Sequence, residues 1–371
     1  MHLTDILALR PVPAAAVFLT VTRRCPLTCA HCSTNSLMSS EEHSANLFLR
    51  FVESFTPTDR PDLVLLMGGE PLLRPALVDG IVERAHAVGS KVALISGMFF
   101  AREARTPPAI ARVIAKVDHF TASLDVFHEQ QVPRKAVFDA VRPLVDRGQQ
   151  ASFHVVGRDA ADPYLTDVIG DIRCSFDDRV PIMVAELKPV GRAQTWVESA
   201  VVTSPGDGSP EPCPLAAWPV VTFDGTVVAC CNQAIVDGPA PPHLRLGHVA
   251  DDGWGTIRDR CLGAPMVRAI RLFGPEHVAS RYGGKKIACD GYCSTCRQLS
   301  QDPAIAAVLT PLMARPVYRF VEQQVVELQR RSFPLGLAAY EQLRWLGYDS
   351  GASRSGCEEP ANALAAAAAD R

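Results

Sequence analysis

The chain has 371 residues, 47% of them hydrophobic and 21% charged, with a formal net charge of −3. That length holds one large α/β domain of roughly 200 residues plus a smaller one, and nothing in the near-neutral balance suggests a general nucleic-acid or membrane-surface binder. The apolar run at 14–21 is too short to span a bilayer, has Asp5 rather than a cationic cluster ahead of it, and runs straight into Arg23 and Arg24. A cytoplasmic protein is therefore expected, with no membrane and no nucleic acid among its partners.

In chain order, residues 18–22 read as a first strand, followed by a cysteine-bearing loop. Ser39-Ser-Glu-Glu reads as the capped start of a helix whose apolar side is Leu47, Leu49, Phe51, Val52 and Phe55. The continuous apolar run Leu63-Val-Leu-Leu-Met67 suits a strand buried on both faces. It ends in Gly68-Gly69-Glu70-Pro71, and 76–88 reads as the next helix. Strands at 91–96, 120–124, 152–156 and 182–187 then alternate with helices at 109–117, 136–146 and 164–174. Six strand–helix alternations imply a parallel sheet with right-handed crossovers, two units short of a closed eight-stranded barrel. Such sheets bind ligands at the carboxyl ends of their strands.

From about residue 201 the texture changes. A turn-rich linker at 204–212 leads into a region crowded with cysteines: Cys213, Cys230, Cys231, Cys261, Cys289, Cys293 and Cys296. Residues 303–346 are helical in pattern, with Val317, Phe320, Val321, Val325 and Leu328 spaced by three and four. The tail from 350 contains an alanine run and is expected to be frayed or disordered. The expected division is 1–200, 201–302, 303–349 and 350–371.

The chemistry concentrates in Cys25-Pro-Leu-Thr-Cys29-Ala-His-Cys32, three cysteines at C-x3-C-x2-C spacing after the first strand. Three thiolates on one loop can hold three irons of a 4Fe-4S cluster and leave the fourth iron open for chemistry. A zinc site is the alternative; it normally closes with four Cys or His ligands, and His31, wedged between Cys29 and Cys32, would compete sterically as the fourth. A disulfide framework suits a small secreted domain, and this chain is neither small nor evidently secreted.

This spacing resembles the signature of the radical S-adenosylmethionine (radical SAM) enzymes. The resemblance implies an α/β fold, a partial (β/α)6 TIM-like barrel. It also implies a 4Fe-4S cluster whose open iron binds S-adenosylmethionine, cleaved by one electron to a 5′-deoxyadenosyl radical that abstracts a substrate hydrogen. Gly68, Gly69 and Glu70 resemble the start of the family's Gly-Gly-Glu-Pro motif, which binds the amino group of SAM; adjacent glycines let backbone approach a ligand closely, and a carboxylate matches an ammonium. Ser96-Gly97 departs from the family's Thr-Asn-Gly-like turn near SAM, which leaves Ser96 a candidate contact only. Ser123-Leu-Asp125 resembles a stretch of the peptide-modifying branch, with Ser123 and Asp125 candidates for SAM or substrate contacts; they could equally cap the following helix. His128 could line the substrate cavity, and Arg158 could bind the SAM carboxylate or a substrate acid. A strand histidine such as His154 is more often a satisfied core residue than a base. Pro189-Val-Gly-Arg-Ala193 resembles the stretch that closes the barrel in the same branch.

Cys213, Gly225 and Cys230 fall at C-x11-G-x4-C, with an Asp-Gly turn that suits a hairpin bringing the two cysteines together. This resembles the opening of the SPASM or twitch extension, which implies a small Cys-rich C-terminal domain with at least one auxiliary 4Fe-4S cluster on Cys213, Cys230 and members of the group Cys289, Cys293 and Cys296. A structural zinc site of four thiolates is the alternative. Cys231 is open between cluster ligand, core thiol and hydrogen-atom donor. The expected substrate is a ribosomally made precursor peptide, crosslinked with electrons from a flavodoxin- or ferredoxin-like reductant. Cys25 leaves no room upstream for a winged-helix leader-binding domain, so a separate leader-binding protein or none is expected. The rivals are a dehydrogenase or epimerase of a small molecule such as an aminoglycoside sugar, with Cys231 or Cys261 as hydrogen donor, and a non-enzymatic zinc- or cluster-binding module.

Overall fold

A computed structural model describes residues 1–103, 105–159, 161–198, 209–284, 287 and 291–332. Six strands, β1 (Ala16–Thr20), β2 (Leu63–Met67), β3 (Lys91–Ser96), β4 (His119–Ser123), β5 (Ala151–Gly157) and β6 (Ile182–Glu186), lie side by side in chain order, every neighbouring pair parallel. Helix α1 (Leu3–Leu9) precedes β1. The crossovers are α2 (Ala45–Glu53), α3 (Pro75–Ala87), α4 (Pro108–Lys116), the single turn α5 (Val126–Glu129) with α6 (Arg134–Asp146), and α7 (Pro163–Phe176). This is the expected α/β fold with the sheet of a partial barrel. The strands are apolar throughout because helices cover them: Val17, Leu19, Leu63, Val64, Leu66 and Leu94 are fully buried.

The expected helix start at Ser39-Ser-Glu-Glu is not observed; α2 begins at Ala45 after Ser44. Tertiary charges take this segment away from the helix. Glu41 pairs with Arg23 at 2.9 Å, and Glu42 with Arg24 at 3.6 Å and Arg74 at 3.7 Å. Arg24 also donates to the Ser40 carbonyl. The segment is thereby drawn into the cysteine loop.

One strand histidine is a satisfied core group. His119, fully buried on β4, bonds the Met1 carbonyl through Nδ1 at 3.0 Å and Ser152 Oγ through Nε2 at 2.8 Å. Burial pushes its pKa down to about 4 from 6.5. The unfolded chain therefore binds the proton first. Stability is full above pH 6.5 and falls as pH drops toward about 4, by up to about 3 kcal/mol. Melting temperatures from pH 8 to 4 should show this loss, and His119→Gln should flatten it; an unchanged slope in the variant would contradict the assignment.

Beyond residue 209 the chain extends the same sheet. β7 (Val220–Val221) pairs in parallel with β1 and turns into the antiparallel β8 (Thr226–Val228), which pairs with β9 (Arg245–His248). Nine strands result, in the order β6-β5-β4-β3-β2-β1-β7-β8-β9. The expected Asp-Gly hairpin is present: Gly225 adopts φ +93°, and Asp224 accepts from Thr222 Oγ1 at 2.6 Å and Thr226 N at 2.9 Å. Seven helices follow β8: α8 (Gln233–Val236) before β9, then α9 (Trp254–Gly263), α10 (Pro265–Phe273), α11 (Pro275–Tyr282), α12 (Tyr292–Gln298), α13 (Pro303–Met313) and α14 (Pro316–Ser332).

Glu322 of α14 bonds Arg268 at 2.9 Å and Arg271 at 2.8 Å on α10. That ion triad decides which side of α14 faces inward. Tyr318 and Val325 pack against the core, whereas Val317, Phe320, Val321 and Leu328 are exposed. The 333–349 part of the expected helical segment and the tail from 350 lie outside the described residues, as does most of the linker. No single helix among the described residues is long and apolar enough to cross a membrane.

Candidate active site

A cavity of about 320 Å³ opens at the carboxyl ends of the parallel strands. Cys25, Cys29 and Cys32 line one wall. Gly68, Gly69, Gly97 and Ser123 come from the ends of β2 to β4, and His154, Val156, Glu186 and Lys188 from β5, β6 and the turn after it. His154, on β5, faces this cavity instead of the core.

The cysteine loop is clamped from two sides by glycines. Gly69 N donates to the Thr22 carbonyl at 2.8 Å and Glu70 N to that of Arg24 at 2.9 Å. A Cβ on Gly69 would stand 2.3 Å from Arg24 O, and one on Gly68 2.5 Å from Thr22 O, so no larger residue fits this stitch. From the opposite side Arg192 N donates to the Cys32 carbonyl at 2.9 Å, and its guanidinium to Ser36 O at 2.8 Å. Gly191, at φ +56°, leaves no room for a Cβ, which would lie 2.3 Å from Cys32 O. The Pro-Val-Gly-Arg-Ala stretch, read from sequence as a boundary marker, is thus part of the loop's mount.

Glu70 itself is fully buried and does not line the cavity. Its carboxylate accepts from Leu72 N at 3.0 Å, Gly97 N at 2.9 Å and Ser96 Oγ at 3.0 Å. Burial, only partly offset by these bonds, pushes its pKa up to about 7. Glu70 and Ser96 therefore act here by holding the β2 and β3 ends together, while Gly97 meets the cavity.

Asp125 is also fully buried, and it does cap a helix: Oδ1 accepts from Phe127 N and His128 N, both at 3.0 Å. Its Oδ2 lies 2.8 Å from His128 Nδ1 and 3.3 Å from His31 Nε2. Burial opposes charge on both partners of the closest pair. It is outweighed: Asp125 is held well below the usual carboxylate range by the two histidines, and His128 is pushed up to about 10 by Asp125 and Cys29. His31 and His128 both line the cavity, so one carboxylate orients two rings toward it.

The thiol environments differ within the loop. Burial pushes Cys25 up to about 12. Burial acts the same way on Cys32, but hydrogen bonds from Thr34, the Ser36 backbone and Arg192 outweigh it and lower its pKa. Gln131 Nε2 donates to Cys29 Sγ at 3.4 Å. Sulfurs given such donors, on a loop fixed at both ends beside a cavity, fit a metal-thiolate group.

The second cysteine group also assembles. Cys230 interacts electrostatically with Cys231, Cys213 and Cys293, and Cys296 with Cys230, Cys213 and Cys293. Burial raises all four of Cys213, Cys230, Cys293 and Cys296, Cys230 to about 12. Cys289 lies outside the described residues. Cys231 does not line the cavity; Arg10 donates to its sulfur at 3.1 Å. Cys261 is a core thiol, fully buried and 3.4 Å from Ala217 O. Arg158 is exposed and outside the cavity lining, because the chain turns outward after Gly157.

Sequence reasoning missed His31 as an Asp125 partner, and missed Arg192, Gln131 and Arg10. The Gly-Arg dipeptide was the one signal available for Arg192.

An open parallel barrel with a three-cysteine loop over its carboxyl-end cavity defines a class, and residues 19–167 match the model of the Radical SAM superfamily. That stretch, from β1 into α7, is similar to a radical SAM domain. A search of curated proteins found no match. Among solved structures the chain is similar to BtrN in complex with AdoMet and 2-DOIA, with TM-score 0.42 and 13% identity over 69% of this chain and 87% of that one. It is similar also to Streptococcus suis SuiB bound to S-adenosylmethionine, with TM-score 0.45 and 10% identity over 80% and 76%. A third is anSMEcpe with bound AdoMet and Cp18Cys peptide, with TM-score 0.46 and 11% identity over 80% and 99%.

Proposed function

We propose that this chain binds a 4Fe-4S cluster on Cys25, Cys29 and Cys32, holds S-adenosylmethionine in the adjoining cavity, and removes a hydrogen atom from a ribosomally made precursor peptide to form a side-chain crosslink. The observation that carries the reading is the juxtaposition of three thiols and the Gly68-Gly69 backbone on one cavity at the carboxyl end of a parallel sheet. A 4Fe-4S cluster held by Cys25, Cys29 and Cys32 would supply, with electrons from a flavodoxin- or ferredoxin-like protein, the one-electron chemistry that cleaves S-adenosylmethionine. The chain's own residues position and shield. Gly68 and Gly69 admit the methionyl end, Asp125 orients His31 and His128, and Ser123 and His154 offer polar contacts.

A chain-like substrate is supported by a second cavity of about 340 Å³, lined by Arg23, Glu41, His43, Asp224, Asp237 and Arg245. Arg23 bonds Thr34 O, and Thr34 lines the first cavity, so one loop separates the two. The second cysteine group fits an auxiliary cluster on Cys213, Cys230, Cys293 and Cys296.

The test is anaerobic incubation of the reduced, iron-loaded protein with S-adenosylmethionine and peptides deuterated at side-chain carbons. Deuterium should appear in 5′-deoxyadenosine, and the peptide should become lighter by two hydrogens. Transfer from an amino sugar and from no peptide would overturn the peptide reading in favour of a small-molecule dehydrogenase.

A further inference from the structure

We infer that Arg10 is the counter-cation of the second cysteine group, and that its charge sets the reduction potential of the iron-sulfur centre held there. The inference rests on the auxiliary-cluster reading above.

Arg10 ends α1, far in sequence from every cysteine it approaches. It is only 7% exposed. The guanidinium lies 4.8 Å from the Trp218 ring centroid and 5.4 Å from that of Phe18. Its Nη2 donates to Leu215 O at 3.2 Å and Cys231 Sγ at 3.1 Å, and its Nη1 is buried without a partner. No carboxylate among the described residues pairs with it. The fold treats its other buried arginines differently, since Arg268 and Arg271 share Glu322.

A buried guanidinium without a counter-charge is costly, and aromatic faces compensate only in part. The missing negative charge lies in the one direction the side chain points. Leu215 is two residues past Cys213, Cys231 adjoins Cys230, and Arg10 acts electrostatically on Cys213. Metal binding strips the protons from such thiols, so a four-thiolate iron-sulfur centre is anionic and becomes more so on reduction. A fixed positive charge in a low-dielectric setting favours the reduced form and raises the potential.

The experiment uses the full chain with Cys25, Cys29 and Cys32 changed to alanine, so that the second group is where iron binds, reconstituted anaerobically. Midpoint potentials come from redox titration followed by electron paramagnetic resonance, and melting temperatures are taken with and without iron. Arg10→Met should move the midpoint to more negative values, and Arg10→Lys should keep it near the parent. Arg10→Met should also raise the melting temperature of the iron-free protein and lower that of the loaded one. An unmoved midpoint overturns the inference, as does equal destabilisation or failure to fold in both states, which would make Arg10 a structural anchor. A parent protein that takes up zinc, or no iron, instead overturns the auxiliary-cluster reading.

Discussion

Replacing Cys25, Cys29 and Cys32 by alanine is expected to remove about four irons per chain and to abolish 5′-deoxyadenosine formation under reducing, anaerobic conditions. The three thiols face the cavity from one loop. Cys29 and Cys32 receive donors suited to thiolates, from Gln131, Thr34 and the Arg192 region. The same substitution at Cys213 and Cys230 should remove iron from the other group and leave S-adenosylmethionine cleavage intact in an uncoupled assay. Iron, acid-labile sulfide and zinc per chain, with 5′-deoxyadenosine by chromatography, separate the outcomes. Cleavage that survives loss of the first three cysteines would refute the assignment of the cavity.

Gly191→Ala and Gly69→Ala should each cost most of the iron at the first site, although neither residue offers a ligand. In each, the new Cβ would stand 2.3 Å from a backbone oxygen of the cysteine loop, Cys32 O or Arg24 O, and backbone cannot swing aside as a side chain can. Gly191 adds left-handed backbone, a penalty of about 1–2 kcal/mol by itself. Gly148→Ala is the control: its φ is +78° with nothing within 4 Å of the added carbon. The control should lose about 1–2 kcal/mol of stability and no iron. If all three variants load iron alike, the two-sided clamp is not what holds the loop.

The six parallel strands were legible because strands covered on both faces must be apolar at every position, and Leu63-Val-Leu-Leu-Met67 shows this without alternation. The cysteine loop and Gly68-Gly69 were legible because their chemistry is local to a few consecutive residues. What escaped the sequence depends on partners far along the chain. Glu41 and Glu42 look like the first turn of a helix until Arg23, Arg24 and Arg74 claim them. Nothing beside Glu70 in the sequence shows that its carboxylate is buried and bonded to Leu72, Gly97 and Ser96. Asp125 belongs to both readings, since it caps α5 and orients two histidines with its two oxygens. The apolar spacing on α14 does not tell which side faces inward, because Glu322, polar in pattern, is what Arg268 and Arg271 hold.

The placement of β7 against β1 bears on how the two cysteine groups communicate. The outgoing end of β1 leads into Cys25, whereas β7, hydrogen-bonded alongside it, turns into the antiparallel β8, which returns the chain to the incoming end of the ladder and to Cys230. Among the described residues, one strand ladder thus joins the segment carrying Cys25 to the segment carrying Cys230. An electron crossing from one group to the other would travel a constant path, at a rate indifferent to solvent viscosity.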